Sequence, residues 1–151
     1  MDTHILLDLE AHDRTEAITH LSAVWEQAGI IKPGYGAAVI QREMVYPTGL
    51  PTEGVHVAIP HASAELVNSS ALFFCRLKHP VLFGAMDSDT EMLEVPMIFM
   101  LALKDSAVHT DVLRGLMEIF QNSELVDSWY SSQDERELRT FLTLDEEEEE
   151  A

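Results

Sequence analysis

Residues 46–61 read Tyr46-Pro47-Thr48-Gly49-Leu50-Pro51-Thr52-Glu53-Gly54-Val55-His56-Val57-Ala58-Ile59-Pro60-His61. Two prolines and two glycines in the first nine positions predict a loop held by turn chemistry. Beyond it Val55, Val57 and Ile59 alternate with His56 and Ala58, the period of a strand. Pro60 closes the run, because it has no amide hydrogen to donate to a ladder. His61 therefore falls just past a strand end, where its backbone is pinned and its ring can project into a crevice at the sheet edge.

Upstream of this stretch the chain reads as helices. Asp13 and Glu16 have the spacing of a capping box, and Ala17, Ile18, Leu21, Val24, Trp25 and Ala28 recur on one helical face, with Gly29 as a left-handed stop. Lys32-Pro33-Gly34 is a turn. Ala37 to Val45 forms a second helix, terminated by Pro47 and carrying Arg42 and Glu43 near its end. A short apolar piece at Ile5 to Leu7 is compatible with a strand before these helices. Downstream, Ala71 to Leu77 and Val95 to Leu103 are apolar runs of strand length, separated by a polar connection at Asp87 to Glu94. These two predict the centre of the sheet.

The last third returns to helical spacing. Val108, Val112, Leu113, Leu116, Ile119 and Phe120 mark one face, with Asn122 as its stop. Leu125, Val126 and Trp129 fit a second helix, and Ser132 with Glu135 caps a third that carries Leu138, Phe141 and Leu142. Helices before, beside and after a few apolar strands predict an α/β fold: a single layered domain with a mixed β-sheet flanked by α-helices. Strand order cannot be read from this pattern.

The chain has 151 residues, enough for one domain with a substantial core. Its 9 basic and 27 acidic side chains give a net charge of −18, which argues against nucleic acid or an anionic membrane surface as partner. Six acids fall within residues 145–151, so the body of the chain carries about −12 and that segment reads as a solvated, disordered acidic tail. The longest apolar run is too short to span a bilayer, and the N-terminal residues lack the basic and apolar regions of a secretory signal. The expected compartment is the cytoplasm, without direct membrane insertion.

Familiar catalytic motifs are missing. There is no Gly-Lys pair for a P-loop, no G-x-S-x-G elbow, no H-E-x-x-H, and the single Cys75 can form no C-x-x-C. Cys75, between Phe74 and Arg76 in an apolar strand, reads as a buried small hydrophobe. His4, His12, His20, His56, His61, His79 and His109 show no helical pair spacing for a metal, so no metal or other cofactor is expected. Local context alone leaves His61 readable as a loop histidine held by a backbone hydrogen bond, and Arg42 as a solvated charge at a helix end.

Taken in order, Arg42-Glu43, Tyr46 to Glu53 and Val57-Ala58-Ile59-Pro60-His61 resemble the signature of the enzyme IIA components of the phosphotransferase system, type 2, the fructose/mannitol superfamily. The resemblance spans Leu6 to Leu142 and is greatest to galactitol-type members. It implies the mannitol/fructose-type IIA fold over residues 1–144. It also implies a cytoplasmic phosphocarrier without cofactor, a phosphotransferase component that accepts a phosphoryl group from phospho-HPr on His61 as tele-phosphohistidine. That group would pass to a cysteine of a cognate enzyme IIB, supporting uptake of a sugar or sugar alcohol through a membrane enzyme IIC.

By the same resemblance His109 occupies the place of an assisting histidine, and Arg42 that of a phosphate-stabilising guanidinium. Chemistry is consistent with these roles. Phosphoryl transfer needs an in-line nucleophile and charge stabilisation of the equatorial oxygens, and an imidazole acting as nucleophile needs an acceptor for its other N–H to fix the tautomer. Arg42 offers a planar fork of donors, and His109 a hydrogen bond or a positive charge. Two alternatives share the core: a regulatory phosphoprotein of the same system, and a non-catalytic interaction module. An acidic body would also speed encounter with a phosphocarrier that presents basic residues.

Overall fold

The computed structural model describes residues 2–88, 90–105 and 109–140, with backbone alone at 109 and 110. Its centre is a long antiparallel pair, β4 (Ala71–Gly84) and β5 (Met92–Ala102). Both runs are apolar without alternation because both faces of the pair are covered. Phe73, Cys75, Val81, Phe83, Val95, Ile98 and Met100 belong to one core, while Leu72, Phe74, Met97, Phe99 and Leu101 belong to the other.

The pair is longer than the sequence predicts. The run should stop at Leu77, but β4 continues to Gly84, and Met92 to Glu94 lie in β5 rather than in the connection. The interruption is a bulge: the register slips between Arg76↔Met97 and Val81↔Val95, and Lys78, His79 and Pro80 are exposed there. Pro80 sits where no ladder amide is needed, so the strand survives its own breaker.

Strand order is β1-β4-β5-β3-β2, with β1 Asp2–Leu9, β2 Gly49–Leu50 and β3 Val57–Ala58. β1 runs parallel to β4 and β3 parallel to β5, while β2 is antiparallel to β3, so the sheet is mixed. β3 is shorter than the alternation from Val55 to Ile59 suggests, and Ala58 is as buried as Val57 because the two point into opposite cores. The loop of residues 46–54 likewise contains a strand, β2. A Cβ placed on Gly49 would lie 2.5 Å from the Gly84 carbonyl oxygen, so β2 lies against the β4 end only because that position has no side chain.

On one face, α1 (Arg14–Gln27) starts where the Asp13 carboxylate accepts the Glu16 amide at 2.8 Å. Ala17, Ile18, Leu21 and Trp25 are buried as predicted, but Val24 is 39% exposed and Ala28 is exposed too, because the buried stripe turns through Ser22 toward the next helix. Gly29 leaves the helix at φ 79°. Gly34 at φ 102° opens α2 (Tyr35–Val45), two residues earlier than the predicted start, and its inner stripe is Tyr35, Val39 and Glu43.

The opposite face carries α3 (His109–Ile119) and α4 (Ser123–Ser131). Asn122 is less a stop for α3 than the cap of α4, its side chain accepting the Leu125 amide at 3.2 Å. Phe99 collects Phe74, Phe120 and Trp129 around it at centroid distances of 5.1, 4.8 and 5.1 Å. Buried Arg76 donates to the carbonyls of Trp129, Tyr130 and Ser132 at 3.2, 3.1 and 2.5 Å, a cation at the C-terminal end of α4. Residues 135–140 are helical, and Asp134, not Ser132, takes the Arg136 amide at its start. Val108, Phe141, Leu142 and the acidic segment 145–151 lie outside the described residues. Among the described residues, no helix is long and apolar enough to cross a membrane.

Candidate functional site

Because β3 and β5 run parallel, both end at the same edge of the sheet, the edge where crossover folds place their sites. His61 follows β3 there, and His109 begins α3 after β5. The segment between Ala58 and Ala62 has little regular ladder, yet its backbone groups are held one by one. The Ile59 amide donates to Thr48 Oγ1 at 3.1 Å, the Pro60 carbonyl accepts the Leu101 amide at 3.0 Å, and the Ala62 amide donates to the Tyr35 hydroxyl at 3.1 Å. Tyr35 in turn donates to the Leu101 carbonyl at 2.6 Å, so one phenol ties α2, β5 and the His61 segment together. Burial pushes that phenol up to about 12, against the Ala62 hydrogen bond and the field of Arg42, which act the other way.

His61 is 9% exposed, and its Nδ1 lies 2.7 Å from the Ile59 carbonyl oxygen. A carbonyl only accepts, so Nδ1 carries the hydrogen and the lone pair of the neutral ring is on Nε2. The acceptor that the sequence could not identify is thus the backbone two residues upstream.

Thr48 is fixed from the other side by Glu43, which is 2% exposed. Its carboxylate accepts the Thr48 amide at 2.8 Å and the Thr48 hydroxyl at 2.9 Å. Burial pushes the Glu43 carboxyl above its ordinary value, while the Thr48 hydrogen bonds and then the charges of Arg14 and Arg42 oppose that rise. Glu43 was legible only as part of a motif. The available signal was its position four residues after Val39 and eight after Tyr35, a carboxylate on the apolar stripe of α2.

Arg42 stands in the last turn of α2, exposed, with its guanidinium carbon 5.4 Å from the centroid of the Tyr46 ring. Its charge reaches Tyr35 and Glu43, the two residues that brace the His61 segment from α2. The imidazole of His109 lies outside the described residues; the structure places only its backbone. Cys75 is buried within β4, and burial pushes its thiol up to about 12. Among the described residues, no group of three or more His, Cys, Asp or Glu side chains could hold a metal ion.

Residues 2–144 match the family described as phosphoenolpyruvate-dependent sugar phosphotransferase system, EIIA 2. The galactitol-specific EIIA component of Escherichia coli strain K12 is 29% identical over 131 residues, covering 87% of this chain and 86% of that protein. The nitrogen regulatory protein IIA-Ntr of Neisseria meningitidis superposes with a TM-score of 0.73 at 27% identity, over 92% of each chain. The mannitol enzyme IIA of Escherichia coli, solved in complex with phosphorylated mannitol enzyme IIB, shares the fold, with a TM-score of 0.74 at 22% identity over 93% of this chain and 94% of that one.

Proposed function

Since the chain belongs to the EIIA 2 family of the phosphoenolpyruvate-dependent sugar phosphotransferase system, we propose that it is a phosphocarrier whose acceptor is Nε2 of His61. The observation that carries this reading is the 2.7 Å bond from Nδ1 to the Ile59 carbonyl, which leaves Nε2 as the nucleophilic nitrogen of a ring held in one orientation. Nε2 attacks the phosphorus of a phosphohistidine donor, HPr. A P–N bond forms at His61 as the donor's P–N bond breaks, and the donor ring recovers its lone pair. In the second step a cysteine thiolate of an enzyme IIB attacks the same phosphorus, a P–S bond forms as the P–N bond at His61 breaks, and the His61 ring recovers its lone pair and returns neutral.

Arg42 supplies donors to the equatorial oxygens, and His109, which follows β5 at the same sheet edge, assists. The enzyme IIB partner is supported by the mannitol complex and a sugar or sugar alcohol by the galactitol relative; a membrane enzyme IIC would deliver it. The experiment is intact-protein mass spectrometry after incubation with phosphoenolpyruvate, enzyme I and HPr. One acid-labile phosphoryl group, lost in His61→Ala, is the expected result. Absence of phosphorylation in folded wild type would leave only an interaction module. The likeness to the nitrogen regulatory protein favours a second reading, a regulatory phosphoprotein: phosphorylation would then occur, but the group would not pass to the cysteine of an enzyme IIB.

A further inference from the structure

We propose that Glu43 is a positioning residue for His61, acting through the Thr48 hydroxyl and the backbone of Ile59. The inference rests on the reading that His61 is the phosphoryl acceptor. It starts from a break in the ladder. β2 and β3 pair through Gly49↔Ala58 and Leu50↔Val57, and one step further the register would set Thr48 opposite Ile59. There the Thr48 amide goes to Glu43 Oε1 at 2.8 Å, and the hydroxyl replaces the backbone as the partner of the Ile59 amide at 3.1 Å.

The direction of each bond follows from the groups. An ionised carboxylate only accepts, so the Thr48 hydroxyl hydrogen points at Glu43 and its oxygen lone pairs remain for the Ile59 N–H. A hydroxyl without that carboxylate could rotate and present its hydrogen to Ile59 instead. With Glu43 in place, the Ile59 amide is held on one side of its Cα. On the other side, the Ile59 carbonyl accepts the His61 Nδ1 hydrogen at 2.7 Å. The two peptide planes flanking Ile59 are thereby set, and with them the direction of the carbonyl that selects the His61 tautomer.

Stability alone does not account for a carboxylate at this position. Glu43 continues the stripe of Tyr35 and Val39, where an apolar side chain would bury at no electrostatic cost. What the carboxylate adds is two accepting oxygens aimed at one buried residue, Thr48.

The test compares wild type, Glu43→Ala, Thr48→Val and Thr48→Ser, with histidines labelled with nitrogen-15. Two-bond proton–nitrogen correlations report which His61 nitrogen carries the hydrogen in the unphosphorylated protein. Rapid-quench transfer from phospho-HPr gives the rate constant and the half-saturating donor concentration separately. We expect wild type and Thr48→Ser to hold the hydrogen on Nδ1. Thr48→Val and Glu43→Ala should show a mixed tautomer and a rate constant lower by about 10–100-fold, with half-saturation unchanged.

Folded Thr48→Val with the wild-type tautomer and rate overturns the proposal, whatever it does to the melting temperature. Should Glu43→Ala fail to fold, the Thr48 pair decides alone. The tautomer measurement needs no donor, so absence of phosphorylation in wild type would refute the acceptor reading while the positioning of the His61 ring was still judged by the spectrum.

Discussion

Replacing Tyr35 with Phe removes one oxygen and leaves the ring volume almost unchanged, so its effect isolates two hydrogen bonds. The hydroxyl accepts from the Ala62 amide at 3.1 Å and donates to the Leu101 carbonyl at 2.6 Å, and the residue is fully buried. Without it both backbone groups lose their partner in a place water does not reach. At about 1–3 kcal/mol for each buried group left unsatisfied, Tyr35→Phe should destabilise the fold by about 2–6 kcal/mol at neutral pH.

The same burial supplies a second, independent signature. The phenol sits at about 12 in the folded protein, against an ordinary 10.0 in the unfolded chain. Between those values the unfolded chain gives up its proton while the folded protein keeps it, so stability falls as pH rises. The loss approaches about 1.4 kcal/mol for each pH unit above 10. Urea unfolding of both proteins at pH 8 and pH 11 is the assay, because every other titrating group cancels in the difference. The gap between wild type and Tyr35→Phe should narrow by about 1 kcal/mol at pH 11. A gap under about 0.5 kcal/mol at pH 8, or one that does not change with pH, would refute both the bonds and the burial argument.

Three further outcomes follow from the geometry. Gly49→Ala places a methyl 2.5 Å from the Gly84 carbonyl oxygen and must displace backbone, so a loss of about 1–3 kcal/mol in thermal unfolding is expected, together with slower phosphorylation; an unchanged melting temperature would contradict the close approach. Cys75, with its thiol at about 12 inside β4, should react with a thiol reagent at pH 8 at least ~100-fold more slowly in the native protein than in urea, and rapid native labelling would show that the strand opens. Arg42→Lys, on an exposed side chain, should change stability by no more than about 0.5 kcal/mol while lowering the rate of phosphoryl acceptance about tenfold, because a single ammonium cannot reproduce the planar fork; an unaltered rate would remove Arg42 from the proposed chemistry.

Features encoded by neighbouring residues were legible in the sequence. The start of α1 is one carboxylate and one amide three residues apart. Features that depend on distant chain were not. The distal half of β4 was hidden because Lys78, His79 and Pro80 resemble a connection, and only pairing with β5 reveals them as a bulge. Asn122 caps the helix that follows it, which a search for helix ends cannot distinguish from a stop.

The site divides in the same way. His61 was singled out by its place past a strand and, with Arg42 and His109, by resemblance to a motif, whereas the acceptor for the His61 ring required the backbone path from Ile59 to His61. Thr48 and Tyr35 act through polar atoms whose partners lie 11 and 27 residues away, at Ile59 and Ala62. No local pattern carries that information. Glu43 was the exception: its place on an apolar stripe could have been read as a demand for a buried donor.

The bonds around Leu101 also impose an order of events during synthesis. The Leu101 amide holds the Pro60 carbonyl, and the Leu101 carbonyl holds the Tyr35 hydroxyl that steadies Ala62. A growing chain that has released α1, α2 and the whole stretch through His61 still lacks that clamp. It must wait for some forty more residues, together with the β4–β5 pairing that delivers them. On a ribosome moving at about 5–20 residues per second, that is an interval of seconds in which the histidine is present and the clamp is not. The first sixty residues of this chain therefore wait, for their last backbone partners, on a strand made forty residues later.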